Sequence, residues 1–146
     1  RVLRLPAAVG TAGCLAMVAV SALSIPRVYG PKQDYAAARQ FVEANARAGD
    51  SIVAVGLAAF PYKEMYKLDW DVVETMDQLN AIRNRSGRTW VLYTLRPVLE
   101  STNPDIAAAL GKEFHLVKEF PGTLREGTVF VSRAETPVKM SLVSTP

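Results

Sequence analysis

The hydrophobic pattern divides this chain into two very different parts. From Leu5 to Ile25 there are 21 residues without a charged side chain, whereas apolar and polar residues alternate in the remainder. A helix of this length reaches roughly 30 Å, the thickness of the hydrocarbon layer of a bilayer. Pro6 and Pro26 mark its ends, because proline is tolerated in a first helical turn and stops a helix elsewhere. The pattern predicts a transmembrane helix over residues 1–26.

Two other interpretations of this apolar run remain open. Arg1 and Arg4 would form the basic leader of a secretory signal peptide, with small residues at Val20-Ser21-Ala22, although such signals use only ~7 to 15 apolar residues. A buried helix of a soluble core would need more surrounding protein than this chain supplies. Because the chain begins with arginine rather than methionine, we expect the helix to be the last span of a longer protein.

Beyond the apolar run, helical and extended patterns follow one another. Ile52-Val53-Ala54-Val55 is continuously apolar, which is typical of a strand covered on both faces. Thr75 and Gln78 match the capping box, in which two side chains satisfy backbone N–H groups of a first helical turn. The predicted elements are a helix at 34–48, a strand at 51–56, a helical turn at 61–66, a strand at 70–74, a helix from 75 to about 86, a strand at 89–95, a helix from 103 or 104, and a hairpin of 115–120 with 128–132.

Alternation of helices and strands implies crossover connections and a sheet covered on both faces. We therefore predict an α/β fold, in which the transmembrane helix is followed by a Rossmann-like three-layer domain at residues 27–135. Its sheet is expected to be mostly parallel and to end in a C-terminal antiparallel hairpin. Residues 136–146 are predicted to form a loose C-terminal tail.

The charge balance argues against nucleic acid as a partner. The chain has 17 basic and 14 acidic residues, and without Arg1 and Arg4 the remainder carries 15 basic against 14 acidic side chains. That balance leaves no basic stripe to neutralise a row of phosphates. The single cysteine, Cys14, lies inside the apolar run and excludes an internal disulfide.

A Rossmann-like outline does not by itself bring a nucleotide site. A dinucleotide needs several glycines at the first strand-to-helix turn, because the backbone must approach the pyrophosphate closely. The corresponding stretch here, residues 56–61, contains the single glycine Gly56, and no phosphate-binding loop motif occurs elsewhere. We therefore expect no cofactor in this segment.

Side chains suited to acid–base or metal chemistry are sparse. His115 is the only histidine, so we interpret it as a packing or surface residue rather than a ligand. Asp69, Asp71 and Glu74 flank Trp70, but alternation in a strand sends Glu74 to the opposite face from the other two. We predict a solvated strand end there, and neither a metal site nor a catalytic residue in this segment.

The stretch from Phe60 to Trp70 crowds aromatic side chains around lysines. It leaves the carboxyl end of a predicted strand, where ligands bind in open α/β sheets. Aromatic side chains with lysines are also favoured at a membrane interface, while core packing of a short helix is the alternative. The candidate substrate-facing or membrane-facing residues are Phe60, Tyr62, Tyr66, Trp70 and, at the end of the third strand, Arg96.

An ordered series of short motifs runs along the chain after the apolar run. They are residues 29–35 (YGPKQDY), 48–50 (AGD), Trp70 with 72–74 (VVE), 91–95 (VLYTL) and 120–123 (FPGT). In this order the motifs resemble the C-terminal part of bacterial membrane glycosyltransferases of family 39, which are relatives of the protein mannosyltransferases. The resemblance extends over nearly the whole chain up to about Arg133.

The resemblance implies a C-type transferase with many spans, which moves a sugar from a polyprenyl-phosphate donor to an extracytoplasmic acceptor. It places the helix in the cytoplasmic membrane and the α/β domain on its extracytoplasmic side. The acidic catalytic residues of the family lie between early spans, so none is carried over, and donor and acceptor would be bound by spans missing here. The expected partner of this segment is the lipid bilayer. The alternative is a freestanding α/β binding or scaffold domain that is membrane-anchored or secreted.

Overall fold

The computed structural model describes residues 7–124 and 126–135, without the side chains of residues 7 and 26–28. The chain divides into two compact units, residues 1–31 and residues 32–146. The first unit contains helix α1 (Ala7–Tyr29), and the second is an α/β unit. The predicted loose tail at residues 136–146 lies outside the described residues.

Helix α1 is long and apolar on all sides. Its window from Ala8 to Ile25 has a mean hydropathy of 1.9, and none of that window is buried. It is the one helix of the described residues that is long and apolar enough to cross a membrane. An apolar N-terminal helix is therefore confirmed, at the position that the uncharged run predicts.

The α/β unit alternates helices and strands as the sequence predicts. Strands β1 (Ser51–Val55) and β2 (Asp71–Val73) are joined by a helical stretch that consists of a 3₁₀ turn at Gly56–Ala58 and a one-turn π-helix at Pro61–Met65. The remaining elements are α2 (Tyr35–Asn45), α3 (Met76–Arg85), β3 (Arg88–Thr94), α4 (Arg96–Thr102), α5 (Pro104–Glu113), β4 (His115–Phe120) and β5 (Val129–Glu135).

The five strands form one mostly parallel sheet in the order β2-β1-β3-β5-β4. β1 pairs in parallel with β2 and β3, whereas β5 runs antiparallel to both β3 and β4, which confirms the predicted hairpin. In this register Val53 lies opposite Asp71 on one side and Val91 on the other. The carboxyl ends of β1, β2 and β3 therefore meet at one edge of the sheet, which we call the carboxyl edge.

Alternating side chains of the central strands fill a core on each face of the sheet. Val53 and Val55 of β1 pack with residues of α3, α4 and α5 on one face. Ala54, between them, packs on the other face with residues of α2 and with Tyr62 of the π-helix. Because both faces are covered, the central residues of β1 and β3 are apolar, as is typical of parallel strands between two helical layers.

Local signals define several helices. The predicted capping box is present, because the Thr75 hydroxyl accepts from the Gln78 N–H and the Gln78 side chain accepts from the Thr75 N–H. The predicted stripe of α5 is buried, with Ile106 and Leu110 in the same core cluster as Phe114. Both features depend on residues within one helical turn of each other, which sequence spacing specifies directly.

The end of α2 differs from the prediction. The helix ends at Asn45 rather than at residue 48, and Ala46 already has extended backbone angles. The Asp50 carboxylate accepts a hydrogen bond from the Arg47 N–H at 2.9 Å, and Gly49 adopts a left-handed φ of 89°. These contacts form a turn that leads directly into β1 and competes with a further helical turn.

Helix α4 was not predicted, and it begins with a sharp reversal of the chain. Leu95 has a left-handed φ of 48°, so the chain turns immediately after β3 and starts a helix at Arg96-Pro97. Asn103 precedes α5 as predicted, but its side chain makes no cap there. Instead its Nδ2 donates to the Glu74 carbonyl oxygen at 2.9 Å, which connects α5 to the end of β2.

Candidate functional site

Three strands end together at the carboxyl edge, and two of them end in left-handed residues. Gly56 after β1 has a φ of 59°, and Leu95 after β3 has a φ of 48°. A Cβ at Gly56 would meet the Leu99 side chain at 3.2 Å, so glycine suits both the backbone angle and the space. These turns leave a crevice of about 480 Å³ beyond β1 and β2, lined on one side by Glu74 and Thr75.

This crevice is not built as a phosphate cradle. Helix α3 begins at its wall, but the capping box uses the backbone N–H groups of Glu74 and Thr75, which both donate to Gln78 Oε1. The Gln78 N–H donates to the Thr75 hydroxyl, so the helix start satisfies its own donors. The Glu74 carboxylate adds negative charge at the same wall.

The aromatic side chains of residues 60–70 divide between the core and the surface. The ring of Tyr62 is 1% exposed, and its centroid lies 4.9 Å from that of Trp70 and 6.1 Å from that of Tyr66. Tyr66 and Trp70 are half-buried at the rim of the same cluster. Phe60 projects outward with 66% of its surface exposed. Tyr62 therefore serves the core, and a surface role falls to the exposed side chains.

Tyr62 is also held by its hydroxyl group. The phenol donates to the Tyr35 carbonyl oxygen at 3.3 Å, and the two rings meet edge to face with centroids 5.5 Å apart. Burial raises the pKa of the Tyr62 phenol, and the neighbouring tyrosines and Asp34 raise it further. The hydroxyl therefore stays protonated and acts as a structural donor rather than as a general base.

Exposed apolar side chains lie on the same stretch of chain. Leu57, Phe60 and Met65 expose 51%, 66% and 71% of their surfaces, and we call these three residues the apolar patch. They belong to the continuous helical stretch whose other side buries Ala58 and Tyr62. The patch is thus carried on a rigid support that is packed against the sheet.

Arg96 is not part of this surface. It is exposed at the start of α4, and its Nε donates to Glu100 Oε1 at 3.1 Å. It lines a shallow crevice of about 460 Å³ between α4 and α5. The structure therefore brings Tyr62, Tyr66 and Trp70 together and places Arg96 in a different environment.

The first residues of the α/β unit are fastened to the carboxyl edge. Lys32 and Gln33, which we call the junction, follow α1 by only two residues. Gln33 Nε2 donates to the Thr94 hydroxyl at 2.9 Å, and Tyr35 donates to Gln33 Oε1 at 3.0 Å. The Lys32 carbonyl oxygen accepts from the Leu124 N–H at 3.2 Å. The junction is thus held by both β3 and the loop between β4 and β5.

That loop approaches the junction so closely that it requires glycine. A Cβ at Gly122 would collide with the carbonyl group of Lys32, and one at Gly127 would lie 2.6 Å from the same oxygen. Sequence reasoning identified the two glycines only as turn residues of the hairpin. Lys32, which the glycines approach, lies about ninety residues earlier in the chain. Hydrophobic periodicity along the sequence does not predict such a long-range backbone contact.

The opposite, amino-terminal edge of the sheet holds a partly buried ion pair. Arg88 Nε and Nη2 donate to the two oxygens of Asp50 at 3.0 and 2.6 Å, and the Trp90 indole N–H donates at 3.0 Å. Burial raises the pKa of the Asp50 carboxyl, but the bonds from Arg88, Arg47 and Trp90 outweigh it and hold the pKa at about 2. The strong pairing and the full set of partners indicate a structural role.

Potential metal ligands are dispersed over the described residues. None of them forms a group of three or more histidine, cysteine, aspartate or glutamate side chains placed to hold a metal ion. His115 is exposed on the edge strand β4, and Asp71 pairs with Arg85 at 2.7 Å.

Comparisons of the chain with protein-family models, with curated proteins and with solved structures found no match.

Proposed function

We propose that α1 spans a membrane and that the α/β unit is an extracytoplasmic accessory domain of a membrane glycosyltransferase. In this proposal the complete protein takes a sugar from a polyprenyl-phosphate donor in the cytoplasmic membrane. Catalysis belongs to residues outside these 146, and the α/β unit shapes or covers the approach of the acceptor. The Rossmann-like character of the sheet supplies the rigid scaffold and no nucleotide site.

The observation that carries the proposal is the uncovered surface of α1. Its window of 18 residues has a mean hydropathy of 1.9, and none of that window is buried within the described residues. Large side chains such as Leu15, Val18 and Leu23 are exposed on different sides of the helix. Exposed apolar area of this extent is unfavourable in water and is stabilised by lipid or by other spans.

The resemblance to family 39 transferases supports the more specific part of the proposal. Three of the five motifs that carry it contribute residues to the junction of the α/β unit and its contacts. Residues 29–35 contain the junction, residues 91–95 contain Thr94 that binds it, and residues 120–123 contain Gly122 that packs on it. Motifs that meet at one structural joint favour a shared architecture over a chance series of short matches.

The first test concerns the apolar helix. We expect the intact mass of the protein purified from membranes to include α1, and we expect the protein to enter the detergent-rich phase on phase separation. A product cleaved near Ala22 would show that α1 is a secretory signal and would favour the freestanding secreted domain. An intact product in the aqueous phase would contradict membrane anchoring.

The second test concerns the transferase activity. Membranes that contain the complete gene product are incubated with polyprenyl-phosphate-linked hexoses and pentoses, and radiolabelled acceptor is measured. We expect transfer from one donor class, and loss of transfer when residues 32–146 are removed while the preceding spans remain. Gly111→Ala is the matched control, because this exposed helical position has open space around it and should leave transfer unchanged. Absence of transfer from every donor would contradict the assignment.

A further inference from the structure

We propose that the apolar patch of Leu57, Phe60 and Met65 is a second membrane contact, which docks the carboxyl edge of the α/β unit on the lipid interface. The inference rests on the proposed membrane span of α1 and goes beyond it, because a span alone does not determine which face of the α/β unit contacts the membrane. The docking surface restricts the unit to one orientation. Four observations lead to this inference.

The first observation is the exposure and rigidity of the patch. Half or more of each side chain is exposed, and all three lie within one helical stretch of the chain. The opposite side of that stretch is locked into the core by Tyr62. Side chains on a fixed support lose little conformational freedom when they enter lipid, so more of the transfer free energy remains available for binding.

The second observation is the position of the patch at the carboxyl edge. Gly56 begins the stretch directly after β1, and the junction is bound by Thr94 at the end of β3. β1 and β3 are parallel neighbours, so both ends lie at the same edge. Tyr35, two residues after Gln33, contacts the Tyr62 ring directly. The patch and the junction are therefore neighbours on one side of the unit.

The third observation is the short covalent connection to α1. The helix ends at Tyr29, and Lys32 is already part of the α/β unit. Three residues of extended chain reach at most about 10 Å. If α1 crosses the bilayer, the junction must stay within that distance of the helix end. The chain then enters the α/β unit close to the membrane surface.

The fourth observation is the balanced charge around the patch. Lys63, Glu64, Lys67 and Asp69 line one shallow surface beside it, and Lys67 pairs with Glu64 at 3.0 Å. Two basic and two acidic side chains give no net attraction to anionic lipid. We therefore assign the docking to apolar insertion, which phosphatidylcholine alone supports and which salt leaves intact.

The experiment uses the full chain in phosphatidylcholine vesicles with an environment-sensitive fluorophore on one cysteine at a time. Native Cys14 reports on α1, whereas in a Cys14→Ser background Lys63→Cys reports on the patch and Asn84→Cys serves as the control. Asn84 is exposed near the end of α3, which leads to the amino-terminal edge of the sheet. Lipids carrying a nitroxide either near the headgroup or deep in the acyl chain act as quenchers.

We expect the label at position 63 to shift to shorter wavelength and to be quenched by the shallow nitroxide, while the label at position 84 keeps its intensity. Replacing Leu57, Phe60 and Met65 together by serine should abolish the quenching at position 63 without unfolding the unit, because all three side chains are exposed. In chains that keep Cys14, its label should be quenched by the deep nitroxide with and without the three serine substitutions.

The outcomes separate this inference from the proposed span. Quenching at Cys14 with none at position 63 would overturn the docking and leave the span intact. Absence of deep quenching at Cys14 would overturn the span itself. A wavelength shift at position 63 without lipid quenching would indicate that a second copy covers the patch, and quenching that disappears in high salt would indicate headgroup electrostatics. Either result would overturn apolar docking on lipid.

Discussion

The Gln33 side-chain amide donates a hydrogen bond of 2.9 Å to the hydroxyl of Thr94, sixty-one residues later in the chain. Thr94 in turn donates to the Thr128 carbonyl oxygen at 2.9 Å. One buried hydroxyl thus connects the start of the α/β unit, the end of β3 and the loop before β5. This connection gives the first residues of the α/β unit a defined attachment point on the sheet.

Thr94→Val should destabilise the α/β unit by about 2 kcal/mol, because valine keeps the shape but leaves the Thr128 carbonyl and the Gln33 amide without their partner. Thermal unfolding of the full chain in detergent measures the loss. Thr102→Val is the matched control, since that hydroxyl bonds the Val98 carbonyl on an exposed surface where water replaces it. Equal stability of the two variants would contradict a structural role for the junction.

Gly122→Ala should cost roughly 2 kcal/mol, because the added methyl group collides with the Lys32 carbonyl and the backbone must shift. Hydrogen exchange at the Leu124 amide, which donates to that carbonyl, should accelerate. The same substitution at Gly111, an exposed helical position with open space, should stabilise by roughly 0.5–1 kcal/mol. Unchanged exchange at Leu124 would show that the loop does not hold the junction.

Asp50→Asn should destabilise the unit near neutral pH, because the Arg88 guanidinium would lose the carboxylate with which it is paired. The folded pKa of Asp50, about 2, lies below its usual value of 3.8. The carboxylate therefore contributes its full stability above about pH 4 and loses it as the pH falls towards 2.

Urea unfolding of the wild-type protein and of Asp50→Asn should be measured between pH 2 and pH 7. The difference between their free energies of unfolding should be largest near neutral pH and should become smaller as the pH falls. Asp71→Asn is the control, since its pair with Arg85 is exposed and contributes little. A stability difference between wild type and Asp50→Asn that stays constant down to pH 2 would contradict the conclusion that the ionised carboxylate stabilises the fold.

Tyr62→Ala and Phe60→Ala test which aromatic side chain of residues 60–70 contributes to the stability of the α/β unit. Removing the buried Tyr62 ring should cost about 3–5 kcal/mol, because it leaves a cavity beside Trp70 and Tyr35. Removing the exposed Phe60 ring should change stability by less than about 0.5 kcal/mol. Thermal unfolding measures both, and a large loss with Phe60→Ala would mean that its ring packs in the folded unit.

Sequence reasoning predicted those parts of the fold that depend on neighbouring residues. The apolar strand at 52–55, the Thr75 capping box and the α5 stripe each place their partners within one strand or one helical turn. The antiparallel hairpin of β4 and β5 was also predicted, whereas the order of the strands in the sheet was not. These features confirm a mixed α/β fold with a mostly parallel sheet.

The features that were missed depend on distant partners. The burial of Tyr62 is decided by Tyr35 and Trp70 on other segments, so composition alone did not separate it from Phe60. Similarly, the left-handed backbone conformation of Leu95, which precedes α4, concerns one residue and cannot be predicted from hydrophobic periodicity. The junction was missed for the same reason, because its contacts are separated by about sixty to ninety residues.

The most direct measurement of the central claim is alkaline carbonate extraction of membranes that contain the full chain, compared with a Leu15→Arg/Val18→Arg variant. Both positions are exposed in the middle of α1, and two arginines there would oppose insertion by roughly 6 kcal/mol. We predict that the unmodified chain stays in the membrane pellet and that the variant is released. Release of the unmodified chain with α1 still attached would contradict the account.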